Sequence, residues 1–132
     1  MLKVAGVNVL TQNVMKMKGL LYTTEISDTF YLETRELIIS DLMTIINYLD
    51  ERYPIPQLIS GDLDNRTRIR ELASITLNDK ALCNRLAEIA SPFVFGDTIT
   101  LIDLIVFEQT RNQAFKDYMF NILKSNSTEY WV

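Results

Sequence analysis

Short runs of β-branched and aromatic residues dominate the first third of the chain, a pattern that is typical of extended structure. The runs cover Val4 to Leu10, Gly19 to Thr24 and Thr29 to Ile39. In the third run we expect a hairpin with arms at 29–33 and 37–39, turning through residues 34–36. The pattern therefore predicts extended structure between residues 4 and 38.

The hydrophobic pattern becomes helical after Ser40, which can serve as an N-cap. A helix over about 41–52 is predicted because apolar residues recur there every three or four positions, at Leu42, Ile45, Ile46, Leu49 and Tyr53. Pro54 and Pro56 restrict the residues before them to extended conformations. The chain should therefore leave this helix as a short rigid segment that ends near Leu58.

A second helical stretch is predicted to end near Ala90. It begins at Asp62 or Asp64, either of which can cap it. Its polar residues Asn78 and Asp79 interrupt the apolar pattern. Two helices that meet there and one kinked helix are both compatible with the sequence.

Thr100 and Asp103 have the spacing of a capping box, in which each side chain accepts a hydrogen bond from the other residue's backbone amide. The helix that begins at Leu101 is apolar on nearly every side, which predicts a buried helix. A last amphipathic helix is predicted over about 115–124.

Composition narrows the chemistry that this chain can perform. The sequence has 132 residues, no histidine, one cysteine (Cys83) and a net charge of −4. The usual general base and the commonest zinc ligand are thus absent, and we expect no catalytic residue, no metal site and no cofactor. Direct nucleic-acid binding is not expected because it draws on clustered basic residues. No apolar run is long enough to span a membrane and no secretion signal is evident, so we expect a cytoplasmic protein.

Two stretches resemble the glutathione S-transferase superfamily. LETRELIISDLMTIINYLDERYPIPQL, at 32–58, resembles the last hairpin, third helix and interdomain linker of its thioredoxin-like domain. FVFGDTITLIDLIVF, at 93–107, resembles the capped central helix of its helical domain. The resemblance implies an α+β fold, with a reduced thioredoxin-like hairpin or sheet and one helix at 1–58. An all-α part, like the C-terminal domain of these transferases, would follow at 59–132.

Within the superfamily, the chain is most similar to the stringent starvation protein A family, which associates with bacterial RNA polymerase. The similarity rests on the Arg35-Glu36-Leu37 turn and on residues 48–56. It implies that a surface element contacts RNA polymerase or sigma factor, formed here by Tyr53, Pro54, Ile55 and Pro56.

The chain departs from the superfamily where the glutathione site should lie. Phe30 occupies the position of a cis-proline, and Asp41-Leu42 replaces an acidic-Ser pair. A cis bond before a non-proline residue costs about 3 kcal/mol, so we expect Phe30 to lose that geometry. Asp41 is left either as a vestigial ligand-binding carboxylate or as a group that stabilises the helix dipole.

Length supports the same conclusion, since about 30 residues precede the hairpin and the family pattern needs roughly twice as many. One or both of the early helices should be missing. The sheet would then have an uncovered apolar face or edge, which a partner or a second copy would have to cover.

The main functional hypothesis is thus a non-catalytic transcription regulator that docks on bacterial RNA polymerase or sigma factor. One alternative is a reduced glutathione-dependent transferase. The other is a scaffold module that forms a homo- or hetero-dimer with a transferase-like protein.

Overall fold

The computed structural model of this protein describes residues 2–90, 93–96 and 98–110, together with Asp117 and Asn121. The last predicted helix, over about 115–124, lies outside the described residues apart from those two positions. The strands in the described part are β1 (Leu2–Ala5), β2 (Tyr22–Glu25), β3 (Tyr31–Glu33) and β4 (Ile38–Ile39). The helices in the same part are α1 (Val9–Met17), α2 (Leu42–Arg52), α3 (Leu63–Thr76), α4 (Lys80–Ile89) and α5 (Leu101–Gln109).

The four strands form one mixed sheet in the order β2-β1-β3-β4. β1 and β2 are parallel, whereas β3 is antiparallel to both of its neighbours. The hairpin predicted from the sequence is confirmed as β3 and β4. The pairing register aligns the carboxyl ends of β1, β2 and β4 with the start of β3, so the loops that follow these three strands lie at the same end of the sheet.

Helix α1 is the main difference from the sequence-based expectation, which treated this region as extended. Its side chains at Leu10, Val14 and Met17 follow helical spacing and are buried in the core. The side chain of Asn8 accepts a hydrogen bond from the backbone amide of Thr11 at 2.8 Å and so caps the helix. The prediction of extended structure is therefore wrong for residues 9–17. The first part of the chain has two helices rather than one, although the predicted α+β class is confirmed.

Helix α2 begins close to the predicted position, but Asp41 rather than Ser40 is its N-cap. The next helical stretch is interrupted between Thr76 and Lys80, so the interpretation as two helices is confirmed. Asp62 caps the first of them. The domain boundary near residue 58 stays a prediction.

The core is continuous from the sheet to the helical part. Every residue of α5 from Leu101 to Val106 is buried, as the apolar pattern predicted. Helix α5 contacts α1 as well as α3 and α4, and its residues share one hydrophobic cluster with Val4 and Leu32 of the sheet. The buried helix therefore joins the two parts of the chain.

The sheet face opposite the core is mostly polar, and this corrects the expectation of an uncovered apolar face. The Lys3 ammonium lies 3.3 Å from Glu25 Oε2 and 3.5 Å from Glu33 Oε1. The Tyr31 hydroxyl donates a hydrogen bond to Glu25 Oε2 at 3.2 Å. Ile38 is the exposed apolar side chain of this face. Because side chains alternate along a strand, the polar residues share one face and need no covering helix.

Candidate functional site

A cleft lies where the carboxyl ends of β1 and β2 meet the first turn of α1. Its volume is about 330 Å³, and we call it the strand-end cleft. Ligands in open α/β sheets usually bind outside the carboxyl ends of the strands. The residues that line it include Gly6, Val7, Gln12, Thr24 and Ser27.

Gly6 allows the floor of this cleft to be close-packed. Its φ of +80° is in the region that favours glycine, and a Cβ there would lie 2.9 Å from the carbonyl oxygen of Thr29. The backbone before β3 therefore passes directly beside the loop after β1. The peptide bond before Phe30 is trans, as the sequence predicted. Among the described residues, the one cis peptide bond joins Ile55 and Pro56.

Thr24, Glu25 and Ser27 supply the polar side chains nearest the end of β2, and the described lining of the cleft holds no cysteine or tyrosine. The Ser27 hydroxyl accepts a hydrogen bond from the Thr29 amide at 3.2 Å, and its oxygen lies 3.4 Å from Thr29 Oγ1. Thr24 is exposed at the rim. The sequence patterns did not point to Gly6, Thr24 or Ser27. A helix between β1 and β2 allows these strands to be parallel neighbours, and the three residues then lie at their carboxyl ends.

Asp41 follows β4 at the same end of the sheet. Its Oδ2 accepts hydrogen bonds from the Thr44 amide at 3.0 Å and the Thr44 hydroxyl at 2.7 Å. These hydrogen bonds, the one from the hydroxyl first, lower the pKa of the Asp41 carboxyl from its ordinary value. Both bonds use one oxygen of an exposed side chain. Asp41 thus caps α2 and presents a charged carboxylate beside the strand ends.

The Tyr53 to Pro56 segment lies at the other end of α2, which is about 16 Å long. The structure therefore does not bring Asp41 and this segment together. Ile55 is 82% exposed, whereas Tyr53 and Pro56 are half-buried. Their backbone carbonyls each accept a hydrogen bond of 2.6 Å from the Lys18 ammonium, which anchors the segment to the body of the protein.

Thr100 and Asp103 form the capping box that the sequence predicted. Asp103 Oδ2 accepts a hydrogen bond from the Thr100 amide at 2.8 Å, and Oδ1 accepts one from the Val94 amide at 2.9 Å. Burial raises the pKa of the Asp103 carboxyl, although its backbone hydrogen bonds act in the opposite direction. Both side chains are buried away from the strand-end cleft and serve to start α5.

Residues 2–90, 93–96 and 98–110 contain no cluster of three acidic or cysteine side chains that could hold a metal ion. No helix in those residues is long and apolar enough to cross a bilayer.

No protein-family model matches the sequence, and no curated protein is detectably similar to it. Solved structures do match the fold. A glutathione transferase homolog from Burkholderia GL BGR1 with bound glutathione has a TM-score of 0.69 at 18% identity, covering 94% of this chain and 91% of that one. A glutathione transferase from Methylococcus capsulatus str. Bath has a TM-score of 0.67 at 14% identity, covering 98% and 94%.

A third similar structure is the maleylacetoacetate isomerase from Anaeromyxobacter dehalogenans 2CP-1. Its TM-score is 0.64 at 19% identity, and the match covers 96% of this chain and 88% of that one. The chain therefore has the glutathione S-transferase-like fold.

These matches change the functional expectation. The proteins with similar structures include transferases and isomerases, so the expectation that this chain is not an enzyme is contradicted. The finer resemblance to stringent starvation protein A receives no support from them.

Proposed function

We propose that this protein binds glutathione, or a closely related thiol peptide, at the carboxyl ends of its strands and acts as a reduced glutathione-dependent transferase. The observation that carries the proposal is the alignment of the strand-end cleft, the N-terminus of α1 and Asp41 at one end of the sheet. The fold adds support, because a protein with a similar structure holds glutathione.

The span of this end of the sheet fits a tripeptide. From the end of β1 across β3 to the end of β4 there are two strand spacings, or about 10 Å. A three-residue peptide in extended conformation covers about 10 Å. A bound thiol peptide can therefore reach from the cleft beside Gly6 to Asp41.

The chemistry at the two ends complements such a peptide. The Asp41 carboxylate can bind the amino group of the ligand, since its Oδ1 makes no hydrogen bond within the described residues. The N-terminus of α1 favours negative charge and so stabilises a thiolate. The thiol proton passes to solvent. The thiolate sulfur then forms a bond to an electrophilic carbon of the second substrate, and the bond from that carbon to its leaving group breaks, so that the leaving group departs to solvent as an anion. A weakly activated thiol is expected because the loop after β1 carries no tyrosine, serine or cysteine.

Calorimetric titration with reduced glutathione tests the proposal. We expect a dissociation constant in the millimolar to sub-millimolar range, about −4 to −6 kcal/mol. Asp41→Asn keeps the cap of α2 but removes the charge, and should weaken binding about tenfold. Asp62→Asn is the matched control because Asp62 caps α3 in the same way and lies away from the cleft. Absence of heat at millimolar glutathione, or equal affinity in the two variants, would contradict the proposal.

A second candidate function is docking of a protein partner on the Tyr53 to Pro56 segment. It is favoured by Ile55, an 82% exposed apolar side chain on a segment that buried Lys18 holds in place. Pull-down with bacterial RNA polymerase holoenzyme tests the partner that the sequence resemblance implied. Ile55→Asp should abolish capture, whereas Ile89→Asp, at a 72% exposed site on α4, should not. Capture that survives Ile55→Asp contradicts this candidate. Pairing with a transferase-like protein likewise stays a prediction.

A further inference from the structure

A second cleft, of about 480 Å³, lies at the opposite end of the sheet. It is bounded by the start of β1, the turn between β3 and β4 and the last turns of α2. Two arginines, Arg35 from the turn and Arg52 from the helix, line it, and we call it the arginine cleft. The proposed thiol-peptide site does not include it, because the strand-end cleft opens at the other ends of the strands.

The positive charge of the arginine cleft is not neutralised by the described residues. Neither Arg35 nor Arg52 forms an ion pair within the described part of the chain, whereas Lys3 and Lys18 each lie within 4 Å of a carboxylate. The Arg52 guanidinium lies 5.0 Å from the centre of the Tyr53 ring, a contact that orients the group without cancelling its charge. Two exposed guanidinium groups in a protein of net charge −4 form a local positive site.

Three of the remaining residues that line the arginine cleft, Thr34, Tyr48 and Tyr53, carry hydroxyl groups that can donate a hydrogen bond. A tyrosine hydroxyl can also accept one. The Thr34 hydroxyl oxygen accepts hydrogen bonds from the amides of Glu36 and Leu37, at 3.3 and 3.0 Å, so its proton is free to point into the cleft. Together with the arginines, these hydroxyl groups can donate hydrogen bonds to a ligand that carries acceptor atoms.

Among the described residues, Glu36 is the one carboxylate that lines the arginine cleft. It makes no ion pair with either arginine in the described structure, and its charge opposes the binding of an anion. The lining thus carries two positive charges and one negative charge. This balance favours a single anionic head group.

We propose that the arginine cleft binds a small organic anion. Its phosphate or carboxylate head contacts Arg35 and Arg52, whose planar guanidinium groups fit such oxygens in pairs. The apolar or aromatic body of the anion packs against Tyr48 and Leu37. The Leu37 side chain is 49% exposed and so is accessible to it. Phosphate and carboxylate heads share this recognition chemistry, and the experiment separates them.

Nuclear magnetic resonance titration of the whole chain with phenyl phosphate, benzoate and phenol tests the proposal. We expect phenyl phosphate or benzoate, at about millimolar concentration, to shift the amide signals of residues 34–37 and 52–53. The probe that binds more tightly identifies the head group. Phenol shares the ring without the charge and should bind at least about tenfold more weakly. No shift from either anion, or equal binding of phenol, would overturn the proposal.

Substitutions of the two arginines test whether the anion binds in the arginine cleft. Arg35→Gln and Arg52→Gln should each weaken the better anion about tenfold, and the double variant should abolish saturable binding. The matched control is Arg68→Gln with Arg85→Gln, which removes two exposed arginines from α3 and α4. Glu36→Gln should strengthen binding because it removes the opposing charge. Unchanged affinity in the Arg35 and Arg52 double variant, with the fold intact by circular dichroism, would exclude the site.

Discussion

The ammonium group of Lys18 lies 2.8 Å from Oδ1 of Asp50, in the interior of the protein. The Lys18 side chain is fully buried and donates its other two hydrogen bonds to the carbonyls of Tyr53 and Pro56. Asp50 also accepts hydrogen bonds from the amides of Leu58 and Ile59, at 2.7 and 3.0 Å. One buried pair therefore ties the end of α1, the end of α2 and the whole segment that follows.

Loss of Lys18 should destabilise the fold strongly. In Lys18→Met, the buried Asp50 carboxyl group loses its counter-ion, and the carbonyls of Tyr53 and Pro56 lose their donor. We expect the free energy of unfolding to fall by about 3 to 5 kcal/mol, measured by urea denaturation. Lys80→Met is the control, since Lys80 is exposed at the start of α4, and it should change stability by less than about 0.5 kcal/mol. Equal stability of the two variants would show that the buried pair contributes little.

Substitution of Gly6 should affect both stability and thiol-peptide binding. Gly6→Ala places a methyl group against the Thr29 carbonyl and strains a backbone with φ of +80°. Gly19→Ala, with φ of +67° and no atom within 4 Å of the new Cβ, isolates the backbone strain, which costs about 1 to 2 kcal/mol. We expect Gly6→Ala to cost at least about 1 kcal/mol more than Gly19→Ala in thermal unfolding. It should also abolish the calorimetric signal for glutathione, and retention of that signal would argue that the ligand binds elsewhere.

The two helix caps formed by Asp103 and Asp79 should differ in energy because one is buried and the other is exposed. Asp103→Ala leaves the amides of Thr100 and Val94 without acceptors inside the protein and should cost about 2 to 4 kcal/mol. Asp79→Ala removes an exposed cap of α4 and should cost about 1 kcal/mol. Denaturation of both variants in urea measures the difference. Similar losses would mean that solvent reaches the start of α5.

The Asp41 cap should give the protein an acid-sensitive component of stability. The pKa of Asp41 is lowered in the folded protein by its hydrogen bonds to Thr44. Its stabilising contribution is therefore complete above the ordinary carboxyl pKa of 3.8 and is lost as the pH falls through the lowered folded value. The stability difference between the natural protein and Asp41→Asn should stay constant above about pH 5 and shrink as the pH falls from about 5 to about 2. A difference that is constant over this range would show that the carboxylate is not the group responsible.

Local signals predicted most of the helices and the hairpin correctly. The break between α3 and α4 follows from Asn78 and Asp79, and the start of α5 follows from Thr100 and Asp103, because caps act within one turn of the chain. Helix α1 was missed because Val9 and Val14 favour strands by propensity. Burial of one helical face against the sheet overrides that preference, and residues distant in sequence provide the burial.

The sequence by itself determined the capped helices and the hairpin of β3 and β4, which rest on contacts within a few residues. Tertiary structure alone decided that Gly6 meets Thr29 and that Lys18 is buried against Asp50. It also decided that the sheet presents a polar face and that the arginines at 35 and 52 share a cleft. These relationships depend on strand order and helix packing, which place residues as far apart in sequence as Leu58 and Leu101 in hydrogen-bond contact. No pattern along the chain specifies those distances.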